Sequence, residues 1–256
     1  MEMPVNALKR ALRERRPQIG LWSSLATPHT VAVTAGAGFD WLLLDAEHAP
    51  ADLATTHAQL DAMAGGTATP VVRPAWNDPV LLKRYLDLGV QSFLVPMVQD
   101  AEEARRAVAA TRYPPDGIRG VSVAMRANGF GRVGGYHHLA NAEICVQVQL
   151  ETRRALESLE AIAAVDGVDG LFIGPSDLAA DLGHLADSAH PEVRATIDDA
   201  IRRIVATGKA AGILAPVEAD ARHWLELGAT FVAVGSDLGL LARQSEALAL
   251  KFRPAR

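Results

Sequence analysis

Apolar residues in this chain gather into short runs, separated by stretches whose apolar positions repeat with the period of a helix. The runs are IGLWS (19–23), WLLLD (41–45), TPVVR (69–73), SFLVPM (92–97), ICVQVQL (144–150), DGLFI (169–173), AAGIL (210–214) and TFVAV (230–234). Each is bounded by Gly, Pro or Asp, and each predicts a buried strand followed by a helix. Most starts lie roughly 20–28 residues apart, the length of one βα unit.

The helix starts keep the same rhythm. Thr27 followed by Pro28 predicts an N-cap and a first helical position. Asp100 with Glu103 three residues on fits a capping box opening AEEARRAVAA. Asn77 is the expected cap of DPVLLKRYLDL, with Gly89 as its stop. Residues 5–16 read as an extra amphipathic helix before the first strand, placed to plug the bottom of a barrel.

Eight βα units in 256 residues predict an α/β protein with a (β/α)8 TIM barrel, one domain spanning 1–256. A doubly wound open sheet is the alternative, but the chain has no GxGxxG or GxxxxGK[ST] phosphate loop. Two intervals exceed the rhythm, 112–143 and 174–209. The first contains RYPPDGIRG and NGFGRVGGYHH, too rich in Gly and Pro to be helix alone, and is expected to overhang the barrel mouth.

Composition changes the picture mainly by exclusion. A hydrophobic content of 49% and a net charge of −5 exclude a disordered chain. With no basic run, nucleic acid is not an expected partner. A single cysteine, Cys145, excludes an internal disulfide framework and a multi-cysteine metal site. No apolar stretch approaches the ~20 residues of a membrane span, and the start MEMPVNALKRALRERR lacks the apolar core of a signal peptide. A soluble, cytoplasmic protein without a membrane partner is expected.

Catalytic groups of such a barrel belong at the C-terminal strand ends, and polar residues gather there. The ends carry Trp22 and Ser23, then Asp45, Glu47 and His48, then Arg73, then Gln149 and Glu151, and finally Gly174-Pro175-Ser176-Asp177. In the fifth strand Val146, Val148 and Leu150 share one face, and Gln147, Gln149 and Glu151 the other. Polar groups pointing into a barrel must be satisfied by a metal, water or substrate; the plainer reading is bonding to neighbouring strands, with Glu151 capping the next helix. Asp177 is either a helix cap or, with Glu151, one of two oxygen ligands for a divalent cation. Arg73 either pairs with an acid between strands or donates hydrogen bonds to a carbonyl becoming an enolate. Asp45 and His48, three apart, suit proton transfer by a carboxylate-oriented imidazole. His137 and His138 read as surface residues, while His29, His57, His184, His190 and His223 show no ligand spacing such as HExxH. Cys145 reads as core, and no G-x-S-x-G elbow supports serine chemistry.

The words GLWSS (20–24), DWLLLDAEHAP (40–50), PVVRP (70–74), LVPMV (94–98), GIRG (117–120), QLET (149–152), DGLFIGPSDLAADLG (169–183), GIL (212–214) and AVGSDL (233–238) stand in this order along nearly the whole chain. Together they resemble the HpcH/HpaI aldolase family, the metal-dependent class II pyruvate aldolases. The resemblance implies a divalent metal ion (Mg²⁺, Mn²⁺ or Co²⁺) bound by Glu151 and Asp177. It makes Arg73 the group that stabilises the pyruvate enolate, and His48 with Asp45 the acid/base pair, on a loop that a neighbouring subunit could supply. It puts Gln149 beside the metal ligand, Trp22 and Leu214 in the pocket wall, and Gly174, Pro175 and Ser176 around the substrate carboxylate. It also implies a homo-oligomer, a hexamer built as a trimer of dimers, with the C-terminal helix exchanged between subunits. The implied reaction is reversible aldol cleavage of a 4-hydroxy-2-oxo acid to pyruvate and an aldehyde. A lyase acting on malyl- or citramalyl-CoA-type esters and a non-catalytic oxo-acid-binding barrel are the alternatives. The stretch VSVAMRANGFGRVGGYHH (121–138) departs from the family form, apart from Arg126-Ala127.

Overall fold

In the computed structural model, which describes residues 1–253, eight parallel strands close into a barrel in sequence order, β1 pairing with both β2 and β8. Residues 254–256 of the expected domain lie outside the described part. The strands are β1 (Gln18–Ser23), β2 (Trp41–Asp45), β3 (Thr69–Arg73), β4 (Ser92–Val95), β5 (Cys145–Leu150), β6 (Val168–Ile173), β7 (Ala210–Leu214) and β8 (Phe231–Ser236). Around them run α1 (Ala7–Arg13), α2 (Pro28–Thr34), α3 (Leu53–Ala62), α4 (Pro79–Asp87), α5 (Ala101–Thr111), α6 (Tyr136–Glu143), α7 (Arg153–Glu157), α8 (Leu159–Ala163), α9 (Pro175–Asp181), α10 (Pro191–Ala206), α11 (Glu218–Glu226) and α12 (Asp237–Phe252). None of these helices is long and apolar enough to cross a membrane. Every strand lies within two residues of its apolar run, because parallel strands covered on both faces read as continuous hydrophobic sequence.

Side-chain alternation divides each strand between two cores. Leu42, Leu44, Val72, Val146, Val148, Leu150, Leu171 and Ile173 face the helices in one continuous cluster. Trp22, Trp41, Leu43, Val71, Leu94, Cys145, Phe172 and Phe231 fill the barrel. The interior aromatic rings need space that neighbouring strands provide by lacking side chains. The Trp41 indole, stacked on Phe231 at 3.9 Å, occupies the place where a Cβ on Gly20 would come within 2.1 Å. A Cβ on Gly212 would stand 2.5 Å from Phe172. Large side chains opposite glycine are how a small barrel fills its taper.

The helix over Ala7–Arg13 closes the floor, as the sequence predicts. Leu8 and Leu12 join the interior cluster beneath Trp41 and Phe231. Its N-cap is Asn6, 1% exposed, whose Oδ1 accepts from the Lys9 N–H at 2.9 Å. The Asn6 amide donates to Ser92 Oγ at 2.9 Å and Glu143 O at 3.0 Å, tying α1 to β4 and to α6. Lys9 donates to Ile144 O and lies 3.7 Å from Asp169, a carboxyl that burial raises above its ordinary range.

Three local expectations need correction. The cap of α4 is Asp78, which accepts from the N–H groups of Val80 and Leu81. Asn77 donates instead to Glu103 O, since the residue directly before Pro79 is the one in N-cap position. Asp100 does cap α5, but Glu103 turns back one residue further than a capping box requires, to the Gln99 N–H. Residues 112–143 do not overhang the mouth. They leave the C-terminal end of α5, and helices run back against the strands, so this connection starts at the opposite end of the barrel. There Arg119 donates to Asp87, and Arg126 to Leu88 O and Asp61, at the ends of α4 and α3. The segment also builds a small core of its own from Tyr113, Met125, Ala127, Val133, Tyr136 and Ala140.

Asn6→Ala removes the cap and the ties between floor and wall together. A loss of about 2 kcal/mol in urea unfolding is expected. A change within about 0.5 kcal/mol, the range of ordinary surface substitutions, would show that the floor helix is held by its leucines alone.

Candidate active site

The strand ends surround a cavity of about 180 Å³ lined by Trp22, His48, Arg73, Gln149, Glu151, Phe172, Gly174, Pro175, Ser176, Asp177 and Leu214. Every cavity residue singled out from the sequence is therefore present except Asp45, which stands behind Arg73. No residue of 112–143 lines it. The residues come from β1, β3, β5, β6 and β7, from the turns after β2, β5 and β6, and from the start of α9, all within one chain. Within this one chain Asp45 and His48 both sit beside Arg73.

Arg73 is the anchor. Its position at the end of β3 pairs in register with Asp45 at the end of β2. Nε donates to Asp45 Oδ1 at 2.9 Å and Nη2 to Oδ2 at 2.7 Å, a two-pronged bond between side chains no more than 8% exposed. Nη1 stands 2.9 Å from Glu47 Oε2, and the guanidinium carbon lies 4.9 Å from the centroid of the Trp22 ring. Trp22 Nε1 completes the set by donating to Asp45 Oδ2 at 3.2 Å. Burial works to raise Asp45, but the bonds and charge of Arg73 and the N–H groups of Glu47 and His48 outweigh it. The carboxyl is held below its ordinary range.

Asp45 does not orient the imidazole of His48. Both its oxygens are engaged by Arg73, and what it accepts from His48 is the backbone N–H at 3.3 Å. The acid beside the imidazole is Glu47, whose Oε2 is 3.8 Å from His48 Nε2. Burial raises Glu47, with the charges of Asp45 and Asp177 adding to it against the pull of Arg73.

Across the cavity Glu151 is 2% exposed. Its Oε1 accepts from Gln149 Nε2 at 2.5 Å and its Oε2 from the Met97 N–H at 2.9 Å. Met97 reaches that position with a φ of 54°, a left-handed conformation costly for a residue with a side chain. Glu151 lies flat against Gly174, where a Cβ would come within 2.4 Å of Oε1. Burial, reinforced by Glu47 and Asp177, pushes the Glu151 carboxyl up to about 7. Three features here escape the sequence reading: Glu47 as a partner of Arg73, Met97 as a donor, and Gly174 as the bed of Glu151. The first has a signal, since positions 45 and 47 share a face at strand period. Nothing in the sequence marks Met97.

The donor set fits a divalent cation. Four carboxylates gather at the strand ends with one guanidinium: Asp45 and Glu47 pair with Arg73, and Glu151 and Asp177 line the cavity beyond it. The buried Gln149 Oε1 has no hydrogen-bond partner, and the Asp177 carboxylate accepts none among the described residues. Oxygen atoms that crowd together, uncompensated and acceptor-only, are the ligands of hard cations.

A closed parallel barrel with ionisable groups converging at its C-terminal mouth is the architecture of a barrel enzyme. The chain belongs to the HpcH/HpaI aldolase/citrate lyase family, whose model matches residues 18–244. It is 57% identical over 252 residues to a pyruvate aldolase of Rhizobium etli, covering 98% of this chain and 99% of that one. It is 58% identical over 248 residues to a 4-hydroxy-2-oxo-heptane-1,7-dioate aldolase of Salmonella typhimurium, covering 96% of this chain and 94% of the relative. A crystal structure of an HpcH/HpaI aldolase/citrate lyase family protein from Burkholderia cenocepacia superposes with a TM-score of 0.94 at 40% identity, covering 98% of this chain and all of the other.

Asp45→Asn leaves the buried Arg73 with a single acidic partner and is expected to cost about 3 kcal/mol at pH 7. Because folding holds the Asp45 carboxyl below its unfolded value, its stabilisation is complete above about pH 4 and fades as pH falls further. Urea unfolding of wild type and variant should therefore differ constantly from pH 5 to 8 and converge in acid. A gap that widens below pH 4 would contradict the assigned charge state.

Proposed function

We propose that this protein is a carbon–carbon lyase that reversibly cleaves 4-hydroxy-2-oxo acids to pyruvate and an aldehyde. The observation that carries the reading is the pairing of Glu151 and Asp177 with the clamped Arg73 across one small cavity. The names of the relatives at 57% and 58% identity support it. The family is generally dependent on divalent metal, and we infer that Glu151 and Asp177 hold it here, with Gln149 beside them. When bound, Mg²⁺, Mn²⁺ or Co²⁺ would polarise the 2-oxo acid as a Lewis acid, a contribution of several kcal/mol.

The remaining work belongs to side chains and backbone. The first N–H groups of a helix have no partner within it, so Ser176 and Asp177 at the start of α9 offer donors to the substrate carboxylate. Gly174 and Pro175 set the turn that presents them. Trp22, Phe172 and Leu214 form an apolar wall that keeps water from the reacting carbons. Arg73 lies with one edge of its fork fixed on Asp45, and its remaining N–H groups share the charge that develops on the ketone oxygen. One such donor is worth about 3 kcal/mol. In cleavage His48 takes the proton of the C4 hydroxyl, directly or through water, the C3–C4 bond breaks, and its electron pair becomes the pyruvate enolate. A proton returned to C3 completes pyruvate. Glu47, rather than Asp45, holds the imidazolium that His48 becomes.

We also infer a homo-oligomer, a hexamer of the trimer-of-dimers kind, working in the cytoplasm as a single-domain barrel whose C-terminal helix is exchanged between subunits. The support is α12, on which Leu240, Leu241, Leu248, Leu250 and Phe252 are all exposed. Neither alternative is favoured: around the cavity Arg73 is the sole Arg or Lys available for a CoA phosphate, and a mere binding barrel has no need of His48.

Metal-stripped protein should release no pyruvate from a 4-hydroxy-2-oxo acid until Mg²⁺, Mn²⁺ or Co²⁺ is restored, and Glu151→Gln should resist rescue. Arg73→Lys keeps the charge but loses the two-pronged bond, and kcat is expected to fall about 100-fold. Full activity in metal-stripped protein would sink the reading, as would thermal stabilisation by CoA esters but not by pyruvate.

A further inference from the structure

The turn between α9 and α10 brings together three side chains that lie apart in the sequence. His184 follows the left-handed Gly183 that ends α9, His190 is the N-cap of α10, and Glu192 stands in its first turn. The imidazoles are stacked, with centroids 3.5 Å apart and planes 17° from parallel. His184 Nε2 is 2.9 Å from Glu192 Oε2. One ligand atom from each residue can be chosen so that all three lie within 4.8 Å of one another, and this is the one such group of His, Cys, Asp or Glu among the described residues. None of the three lines the cavity at the barrel mouth.

We propose that His184, His190 and Glu192 form a second cation site, selective for divalent transition metals such as Zn²⁺, Ni²⁺ or Co²⁺ over Mg²⁺. Two imidazoles and a carboxylate are a ligand set of borderline ions, and three protein ligands leave a fourth position for water. Mg²⁺ keeps its water and prefers oxygen. The ion takes the place of the hydrogen bond between His184 Nε2 and Glu192 Oε2. The His190 ring must turn out of its stack on His184, and its one hydrogen bond among the described residues, Nδ1 accepting the Glu192 N–H at a long 3.3 Å, resists this weakly. The positive end of the α10 dipole disfavours a cation there, and the Glu192 carboxylate at the same helix end offsets it. A filled site would staple the last turn of α9 to the first turn of α10. It would act on the stability of the segment that begins with Ser176 and Asp177, without touching substrate.

The test is Zn²⁺ binding by equilibrium dialysis in excess Mg²⁺, comparing wild type with the double variant His184→Gln/His190→Asn. Gln keeps a hydrogen bond towards Glu192, and Asn is a strong N-cap, so both helix ends are preserved. Wild type should hold about one more equivalent of Zn²⁺ per chain than the variant. Zn²⁺ should also raise its thermal midpoint by about 2–4 °C, with no rise in the variant. Pyruvate release with Mg²⁺ should be the same in both. Equal Zn²⁺ binding by the two proteins overturns the proposal, as does displacement of the extra equivalent by millimolar Mg²⁺. Because the readout is a difference at the histidines, it holds whether or not Glu151 binds the catalytic metal.

Discussion

The mouth of this barrel is organised by one buried guanidinium. Arg73 and Asp45 are register partners on adjacent parallel strands, so their bond exists only if β2 and β3 pair as they do. A slip of either strand by one residue would turn its member of the pair towards the helices and break the bond. Burying two charges is expensive and is tolerated where every donor finds an acceptor. Here Asp45 takes two N–H groups of the fork, Glu47 faces a third position, and Trp22 both stacks on Arg73 and bonds to Asp45. The result is a cation held in place and presented to a cavity whose other charged lining groups are the carboxylates of Glu151 and Asp177.

That imbalance explains much of the rest. Glu151 is pressed onto Gly174, bonded by Met97 in a strained conformation and by Gln149, and faces two further carboxylates. A protein gains nothing in stability from such a group. Its carboxyl rises to about 7 because burial and like charges oppose its ionisation. Strain and uncompensated charge gathered at one place point to a site whose shape serves a ligand.

The barrel was legible because each strand is buried on both faces, so eight apolar runs are eight strands. Gln147, Gln149 and Glu151 were legible as an inward polar row because strand alternation is strict. Legibility ended where the chain leaves regular structure. Asp45 and His48 are three apart, but beyond the strand that spacing brings a backbone N–H to the carboxylate, not a ring. Glu47, two on from Asp45, faces the same way and meets Arg73. The direction of residues 112–143 could have been read from topology, since a connection that follows a helix begins at the floor. His184 and His190 escape any short motif because a helix end and a helix start bring them together.

The two clusters around α9 also differ in the chemistry they can accept. At its beginning, Asp177 belongs to a group of oxygen donors with Gln149 and Glu151, and the exposed His48 is the one imidazole among the residues that line this cavity. Past its end, His184 and His190 set nitrogen donors beside one carboxylate. Hard ions that retain water suit the first and pass by the second, whereas Zn²⁺ or Ni²⁺ gains most from the second. On the two proposed assignments, a short helix separates a centre that must exchange substrate from one that only needs to hold its ion. The separation works because selection rests on donor type, which each end of α9 supplies from different neighbours.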